Sequence, residues 1–479
     1  MIKFVIKAYF LFILNSLTAQ SVFFKSYGGD GNDFGEEVIE TTDSSFVAVG
    51  GTESFGNGLM DLYLFKIDSI GDVEWTKTFG GPNIDYGNDV VETDDNGYIA
   101  CGYSNSIGLD YNIFIIKVSS DGTHQWTKNI GGNNWDFANS ITQSSLNSSQ
   151  YYIVGETYSS GQGNGDAFIL KINNNGDTLW MKTFGGQEND YFNDVIEDNT
   201  GNVYCIGATK SQSSTENLWI SKLDTSGQLQ WNYYHDDSIK TVGNSITVLG
   251  NNNEKINFCG EIYEDDSISI NKTFLIGGIS NMGDYNFNAS YPNNFSKYET
   301  ACVKVMQKPN SNRYFVVSNY FQNDNNKIFY AELADQWQQP NTSRIKGNGN
   351  DYVHGGDFLS NGNGFIISGT TEQTTNGQSD VFLSRTDNGL WDINFNNVSI
   401  LSSKPIEKLD FQIFPNPCLK YLNIKNIDSP SNFEIKDIYN KTVLTGKINN
   451  GPINVEKLNS GIFFLRIKKE NTFKKFIKL

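Results

Sequence analysis

The sequence contains little histidine and cysteine, and each shortage limits the chemistry that the chain can support. Only three histidines occur in 479 residues, and His124, His235 and His354 lie far apart. A histidine-based metal centre or catalytic relay is therefore not expected, and no metal ligand is assigned. The five cysteines are widely spaced and match no Cys-x-x-Cys pattern. Neither a zinc site nor an obligatory disulfide framework is predicted.

Basic residues are also in the minority. The chain has 36 lysines and arginines against 54 aspartates and glutamates, a formal net charge of −18. Because a protein that tracks phosphates needs a basic surface, this balance argues against nucleic acid as a partner. Glycine (46), tyrosine (24) and phenylalanine (33) are abundant instead. This combination is typical of short strands joined by tight turns, so an all-β protein is predicted.

The first 19 residues have the features of a signal peptide. Lys3 and Lys7 precede a short apolar run, and Leu17-x-Ala19 offers a small-residue cleavage site. The run is shorter than the roughly 20 residues that span a bilayer. We therefore expect a signal peptide at 1–19, an exported mature chain that starts after Ala19, and no transmembrane segment in that mature chain.

A segment of about fifty residues recurs along most of the chain. WTKTFGGPNIDYGNDV (75–90) returns as WTKNIGGNNWDFANSI (126–141) and WMKTFGGQENDYFNDV (180–195), after an earlier copy at 23–38. The fifth and sixth units, over 231–339, have lost most of this motif. In all, seven units begin near residues 23, 75, 126, 180, 231, 287 and 340.

Each unit holds four short apolar segments that favour strands. Four strands in roughly 40–50 residues is the pattern of a β-propeller blade, whose faces are buried by radial stacking. We predict a seven-bladed β-propeller over residues 20–396, with an open solenoid or two stacked sandwiches as alternatives. FFKSY (23–27) and WDINF (391–395) lie at opposite ends of this region, and one or both would close the ring.

The recurring side chains have structural explanations. The tryptophan of each repeat would pack as a wedge between neighbouring sheets, and the double glycines would allow tight turns. Because packing repeats whereas function usually breaks symmetry, we interpret the recurring aspartates as structural rather than catalytic or metal-binding. They form two series: Asp33, Asp85, Asp136, Asp190 and Asp351, and then Asp61, Asp110, Asp166 and Asp380.

Calcium is the one metal that the loops would suit. Segments 56–61, 108–112 and 161–167 are rich in glycine, asparagine and aspartate, which supply the oxygen ligands that calcium takes. None has EF-hand spacing, and glycine alone explains such turns, so no cofactor is expected.

The chain changes character after residue 396. Residues 397–479 carry a net charge of +7 and the remainder −25, which indicates a domain boundary with a linker at 397–410. Alternating apolar residues over 411–479 predict a small antiparallel β-sandwich.

The motifs of this tail resemble the type A C-terminal sorting domain of the type IX secretion system of Bacteroidetes-type bacteria. FPNP (414–417), LNSGIFFLRI (458–467) and the terminal KKFIKL (474–479) carry the resemblance. It implies export to the periplasm and then passage across the outer membrane, with the type IX machinery as partner. The implied sorting-signal residues are Pro415, Asn416, Pro417, Gly461, Lys474, Lys475 and Lys478.

The repeats resemble a propeller family of secreted cargo that has no assigned chemistry, so this resemblance implies a fold rather than an activity. We predict a secreted or outer-membrane surface protein that binds or scaffolds a glycan or protein ligand, and not an enzyme. The alternative is a secreted polysaccharide hydrolase with a carboxylate pair from the aspartate series. A ligand site is expected where repeat symmetry fails, at Tyr263, Tyr285, Tyr291, Tyr298, Tyr320 and Trp337.

Overall fold

The computed structural model is all-β and divides the chain into two compact units, Met1–Ser403 and Lys404–Leu479. The predicted signal peptide and linker lie outside the residues that it describes. Those residues are 22–108, 110–235, 239–249, 255–266, 269–290, 300–322, 325–333, 341–346, 350–372, 379–386, 393–394, 412–414, 417–425, 431–437, 441–448, 451–467 and 472–479.

The first unit is a series of four-stranded antiparallel sheets in which consecutive strands are neighbours. Sheets 1 to 4 are β2–β5 (Asp33–Glu40, Phe46–Thr52, Asp61–Ile67, Val73–Phe79), β6–β9 (Asp85–Glu92, Tyr98–Ser104, Asn112–Val118, His124–Ile130), β10–β13 (Asp136–Gln143, Gln150–Thr157, Asp166–Asn173, Thr178–Phe184) and β14–β17 (Asp190–Glu197, Val203–Thr209, Asn217–Leu223, Leu229–Tyr234).

The remaining sheets of this unit follow the same plan with two additions from the chain ends. Sheet 5 is β18–β21 (Lys240–Leu249, Lys255–Asp266, Ser269–Ser280, Tyr285–Ser290). Sheet 6 is β22–β25 with β29 (Thr300–Gln307, Tyr314–Gln322, Asn325–Leu333, Asn341–Lys346, Ile393–Asn394), and sheet 7 is β26–β28 with β1 (Asp351–Phe358, Phe365–Thr371, Asp380–Arg385, Phe23–Tyr27).

Each sheet is offset by one strand from the sequence repeat. The repeat opens at its tryptophan strand, whereas the sheet opens at the strand after the double glycine. Trp75 therefore lies on β5, the last strand of sheet 1, and does not open sheet 2. The offset arises because the double glycine connects two sheets instead of two strands of one sheet.

The N-terminal strand completes the last sheet. β1 pairs antiparallel with β28, with Phe23 opposite Arg385. Of the two terminal segments expected to close the ring, FFKSY (23–27) does so, because it occupies the free edge of β28. WDINF (391–395) instead contributes Ile393–Asn394, which pair in parallel with β25 of sheet 6.

The core consists of separate hydrophobic clusters, one at each boundary between neighbouring sheets. The first strands contact one another in the order β2, β6, β10, β14, β18, β22, β26 and back to β2. Middle strands such as β3 and β4 are buried along their whole length, because each face meets a neighbouring sheet. The predicted β-propeller is confirmed, and the described residues contain seven such sheets.

The repeated tryptophans pack on the next sheet, as expected. Trp75 Nε1 donates to the Ser120 carbonyl at 3.1 Å, and Trp231 Nε1 donates to the Asn281 carbonyl at 3.1 Å. The Trp75 indole also covers Gly122, where φ is +73° and an added Cβ would lie 2.9 Å from the ring. Both the backbone conformation and the close indole therefore require glycine at this turn.

The second unit contains two short antiparallel sheets. One consists of β30, β31 and β34 (Gln412–Phe414, Tyr421–Lys425, Ile453–Asn454), and the other of β33, β32, β35 and β36 (Thr442–Ile448, Ser431–Asp437, Gly461–Ile467, Thr472–Lys478). Leu422 of the first sheet shares one buried cluster with Ile435 and Leu465 of the second. This arrangement agrees with the predicted sandwich. Among the described residues of either unit, none forms a helix with the length and apolar character of a membrane span.

Candidate functional site at the propeller channel

The first strand of every sheet carries a β-bulge at the same place, and in sheets 2 to 5 the bulged residue is an asparagine. A bulge re-aims its side chain, and here each asparagine amide donates to a carbonyl oxygen of the next sheet. Asn88 donates to Ala138 at 2.7 Å and Asn139 to Phe192 at 2.9 Å. The asparagine belt consists of these residues and their equivalents: Asn88, Asn139, Asn193 and Asn244.

The asparagine belt stops in sheets 6, 7 and 1, where the bulged residues are Val303, His354 and Glu36. Asn319, from the second strand of sheet 6, replaces the missing contact by donating to the Val353 carbonyl at 2.9 Å. His354 Nδ1 lies 3.3 Å from Glu36 Oε2. A histidine–glutamate pair therefore joins sheets 7 and 1 where amides join sheets 2 to 5.

A cavity of about 210 Å³ lies among these first strands and is lined by Glu37, Asp89, Asp194 and Lys304, which directly follow the bulges. Lys304 Nζ lies 2.5 Å from Glu37 Oε2. Burial opposes the lysine charge, but the three carboxylates outweigh it and hold the pKa of Lys304 above its ordinary range. The lysine therefore stays charged and balances part of the acidic lining.

The channel carboxylates also link neighbouring sheets. Each accepts a backbone N–H from an adjacent first strand: Asp89 from Ile141 at 2.8 Å, Asp194 from Ile246 at 3.0 Å and Glu37 from Gly356 at 2.6 Å. Burial, together with the nearby Glu37 charge, raises the pKa of Asp89 to about 7. Both Asp89 oxygens are nevertheless already engaged, because Val90 N donates to Oδ1 at 2.7 Å and Ser140 Oγ donates to Oδ2 at 2.8 Å.

Glu36 connects the channel to an aromatic surface. Its Oε1 accepts the Tyr86 hydroxyl at 2.5 Å, while Oε2 faces His354. Burial opposes the ionisation of both partners, yet their mutual attraction lowers the pKa of Glu36 and raises the pKa of His354. The carboxylate is thus held in its charged form at the start of this surface.

The aromatic row extends from Tyr86 across sheets 2 and 3. Tyr86 stacks on Tyr103 at 5.5 Å between ring centroids, and Trp135 lies 6.1 Å from Tyr111 and 6.2 Å from Tyr158. Every residue of the row is at least partly exposed, and Trp135 is 52% exposed. The row comprises Tyr86, Tyr103, Tyr111, Trp135, Phe137 and Tyr158.

The two aspartate series hold turns together. Members of the first series are buried and accept the N–H of the second glycine of the preceding pair, at 2.7–2.9 Å for Asp33, Asp85, Asp136 and Asp190. In the second series, Asp166 accepts N–H groups of Gln162 and Gly163 at 3.0 and 2.9 Å. Asn112, not Asp110, occupies this position in sheet 2, since it pairs with Ser104 at the start of β8. The described residues contain no group of three or more Asp, Glu, His or Cys side chains suited to a metal ion.

Two of these aspartates approach one another at the boundary between sheets 7 and 1. A Cβ on Gly28 would lie 2.1 Å from Asp380 Oδ1 and 2.6 Å from Asp33 Oδ2. Burial, with the Asp33 charge in addition, raises the pKa of Asp380 to about 7. Asparagine occupies the equivalent position in sheets 2 and 4, as Asn112 and Asn217.

The aromatic ligand site expected from the sequence stays a prediction. Tyr263 lies on β19, with Lys240 and Lys272 Nζ 4.6 and 5.0 Å from its ring. Tyr320 is 4% exposed and packs in the core between sheets 5 and 6, so it offers no accessible ring. Of the other predicted residues, Tyr285 opens β21, and three lie outside the described residues: Tyr291, Tyr298 and Trp337.

Sequence analysis does not single out the asparagine belt, Lys304 or Trp135, although the repeat contains the signal. The triplets NDV, NSI, NDV and NSI occupy the bulge position in sheets 2 to 5, whereas EEV, VKV and HGG occupy it at 36–38, 303–305 and 354–356. Asn32, Ile84, Asn189 and Asn350 stand where sheet 3 has Trp135. A comparison of single positions across repeats would have found both departures.

Residues 412–479 match the family model of the secretion system C-terminal sorting domain. These residues form a type IX sorting domain. Such a domain directs export through the type IX secretion system to the cell surface or beyond. Within it Gly461 pairs with Lys478 across β35 and β36, Lys474 and Lys475 lie on β36, and Pro417 is exposed. The other two sorting-signal residues, Pro415 and Asn416, lie outside the described residues.

Solved structures similar to the chain include several propellers. PorZ, a surface component of the type IX secretion system of Porphyromonas gingivalis, is 12% identical with a TM-score of 0.43; the match covers 94% of this chain and 59% of PorZ. The β-propeller domain of the Trilobed protease of Pyrococcus furiosus is 9% identical, with a TM-score of 0.43 and coverage of 77% and 97%. An α-L-arabinofuranosidase of Fusarium graminearum is 9% identical, with a TM-score of 0.40 and coverage of 62% and 92%.

At these scores the similarities carry no functional argument. This chain also spans less than two thirds of the length of PorZ. A search of curated protein sequences gave no match.

Removing the channel lysine should destabilise the propeller. We expect Lys304→Ala to lower the free energy of unfolding by about 3 kcal/mol, because Glu37 would remain buried without its cation. Lys272→Ala is the matched control, since Lys272 lies 3.3 Å from Glu261 but its side chain is 39% exposed. The control should cost less than about 1 kcal/mol. Equal losses for both variants in chemical denaturation would contradict a buried link at Lys304.

The Asp33–Asp380 pair should make stability depend on pH. Between about pH 4 and pH 7 the native state retains a proton on Asp380 that the unfolded chain releases, so the free energy of unfolding should fall as pH rises. Asp380→Asn should flatten this fall, whereas Asp30→Asn, on an exposed part of the nearby turn, should not. Thermal melts at several pH values would measure both slopes. If the pH dependence of stability were unchanged in Asp380→Asn, the retained proton could not be assigned to Asp380.

Proposed function

We propose that the exported propeller binds carbohydrate, with sugar rings stacking on the aromatic row beside the channel mouth. The observation that carries the proposal is the exposure of Trp135, which is 52% accessible while three neighbouring rings support it. An exposed aromatic surface that is already held in place binds a flat ligand face with little loss of side-chain entropy. The row therefore has the properties of a binding platform.

Some rings of the aromatic row occupy positions that are not aromatic in the other repeats, as expected of residues kept for binding rather than for packing. Its inner members, Tyr86 and Phe137, recur as aromatics in other sheets and serve packing. Two outer members do not recur in the preceding sheet, because Gly51 of sheet 1 stands in place of Tyr103, and Ile84 of sheet 2 in place of Trp135. Because radial stacking needs the same contacts in every sheet, rings that occur at these two positions in only one sheet are not explained by the stacking.

Polar groups beside the rings suit sugar hydroxyls. Glu156 Oε1 and the Tyr158 ring lie beside each other at Gly165, and Asn134 Nδ2 donates to the Tyr158 carbonyl at 3.0 Å. Aromatic faces with a few fixed polar groups are typical of carbohydrate and small-molecule sites. The same features would suit a protein partner less well, since the surface is not a continuous apolar patch.

Hydrolysis is the second candidate activity, and Asp89 is the observation that favours it. A carboxyl group with a pKa near 7 in a cavity could act as an acid. The interactions of this group argue against that role, because protein donors already engage both of its oxygens. The repeated aspartates likewise accept backbone amides. We therefore favour binding without turnover.

Trp135→Asn should abolish glycan binding while leaving the fold intact. Asparagine is native at the equivalent Asn32 and Asn189, so the substitution is compatible with the turn. The matched control is Ile84→Asn, at the same position of sheet 2. We would measure binding of the mature full-length chain to a glycan array, and released products by mass spectrometry. Binding that survives Trp135→Asn would contradict the platform, product release would support the hydrolase, and silence in wild type would favour a protein partner.

The sorting domain should determine where the propeller accumulates. We propose that the chain passes through the periplasm, and we expect deletion of 412–479 to trap it there, because the type IX machinery would lose its signal. Quantifying the protein in periplasm, outer membrane and medium would test this. The control is Lys457→Ala, an exposed change within the domain but outside the motifs that carry the resemblance. Unchanged surface or medium levels after the deletion would refute the route.

A further inference from the structure

A second cavity, of about 290 Å³, lies between sheets 3 and 4. The partly exposed Phe184, at the end of β13, and Tyr234, on β17, supply its accessible aromatic lining. Trp219 on β16 also lines the cavity but is only 3% exposed. This volume is close to the roughly 300 Å³ at which small-molecule pockets begin, so it would hold a single ring rather than a chain. The channel cavity has no comparable aromatic lining among its described residues.

Two residues that line this pocket differ from their equivalents in sheets 1 to 3. Tyr234 stands where sheets 1 and 3 have Thr78 and Thr183, and Asn232 stands where sheets 1 and 2 have Thr76 and Thr127. The sheets without these side chains form the same strand pairs with the same bulge, so neither residue is needed for the fold. In sheet 4 both accompany Trp219: Asn232 accepts the indole N–H of this larger ring, and Tyr234 lies nearly parallel to it.

Hydrogen bonds fix the pocket before any ligand arrives. Asn232 Oδ1 accepts Trp219 Nε1 at 3.0 Å and Ser221 Oγ at 2.7 Å. Trp219 also packs on Phe192 at 4.5 Å and lies nearly parallel to Tyr234, with an interplanar angle of 21° and centroids 6.3 Å apart. A preformed aromatic wall of this kind costs little entropy on binding.

The remaining lining identifies the chemistry of the ligand. Gln162 and Gln212 are exposed at the pocket and carry amides that can bond hydroxyl groups in either direction. No lysine, arginine or histidine is among the described lining residues, and the one carboxyl group among them is that of Asp166. An anionic ligand would meet this carboxyl group without a compensating cation, which disfavours uronic or sialic acids.

We propose that this pocket binds one neutral pyranose unit, such as the terminal residue of a glycan. The inference rests on the proposed function, because it assigns a specificity pocket to the same carbohydrate-binding propeller. Phe184 or Tyr234 would stack on the apolar face of the sugar. The amides of Asn232, Gln162 and Gln212 would select its hydroxyl pattern. The aromatic row would then bind the body of the glycan, and this pocket would bind its terminal sugar.

The test uses the mature full-length chain and methyl glycosides of glucose, galactose and mannose, with methyl glucuronide as the acidic comparison. Saturation-transfer NMR and calorimetry would measure binding. We expect at least one neutral glycoside to bind at least tenfold more tightly than the glucuronide. Tyr234→Thr should weaken that binding at least tenfold, and Asn232→Thr should change which neutral glycoside is preferred. Both variants introduce the residue of other sheets, so the fold should survive, which melting would verify.

The outcomes separate this inference from the proposed function. Neutral glycoside binding that is lost in Tyr234→Thr but kept in Trp135→Asn supports the pocket, even if no polysaccharide binds the aromatic row. Polysaccharide binding without any monosaccharide binding would contradict the proposed sugar pocket but not the proposed binding at the aromatic row. Glucuronide binding as tight as neutral binding, or no effect of Tyr234→Thr in a folded chain, also overturns it.

Discussion

Closure of the ring is the constraint on which the rest of the propeller depends. Strands such as β3 and β4 are apolar on both faces, so each sheet needs a neighbour on both sides. Only a closed ring meets this need for every sheet. The pairing of β1 with β28 supplies the last link, and the cluster that contains Phe46 and Val381 buries the faces that would otherwise remain exposed between sheets 7 and 1.

Closure also brings seven first strands together, and their polar groups must find partners in a narrow space. The asparagine belt meets this need in sheets 2 to 5 by amide-to-carbonyl bonds. In the remaining sheets charged groups take over, with Glu36 facing His354 and Glu37 facing Lys304. The channel is thus lined with hydrogen-bonded polar groups, and the structural role of its carboxylates is to join neighbouring sheets.

The propeller and its tail could be predicted from sequence because a recurring segment and alternating apolar residues both reflect which side chains are buried. The tryptophan wedge followed from a residue that recurs beside a turn, and the structure places the Trp75 indole on the next sheet. The sequence does not show which terminal segment closes the ring. FFKSY and WDINF are both short apolar segments, and only the free edge of β28 distinguishes them. The recurring asparagine is visible in the repeats, but its contacts are not, because a bulge is a property of pairing register that one strand alone does not show.

The sequence predicts a ligand site in the two units that have lost most of the repeat. The aromatic row and the second cavity lie instead in the regular sheets 2 to 4. A regular sheet with complete packing can carry one costly exposed side chain, such as Trp135, at little risk to its fold. Of the described residues predicted for that site, Tyr320 is 4% exposed and lies in the core, whereas Tyr263 is partly exposed. A departure at one position of a regular repeat, as at Trp135, is therefore a different signal from the loss of the repeat itself, because the strands around it keep their pairing.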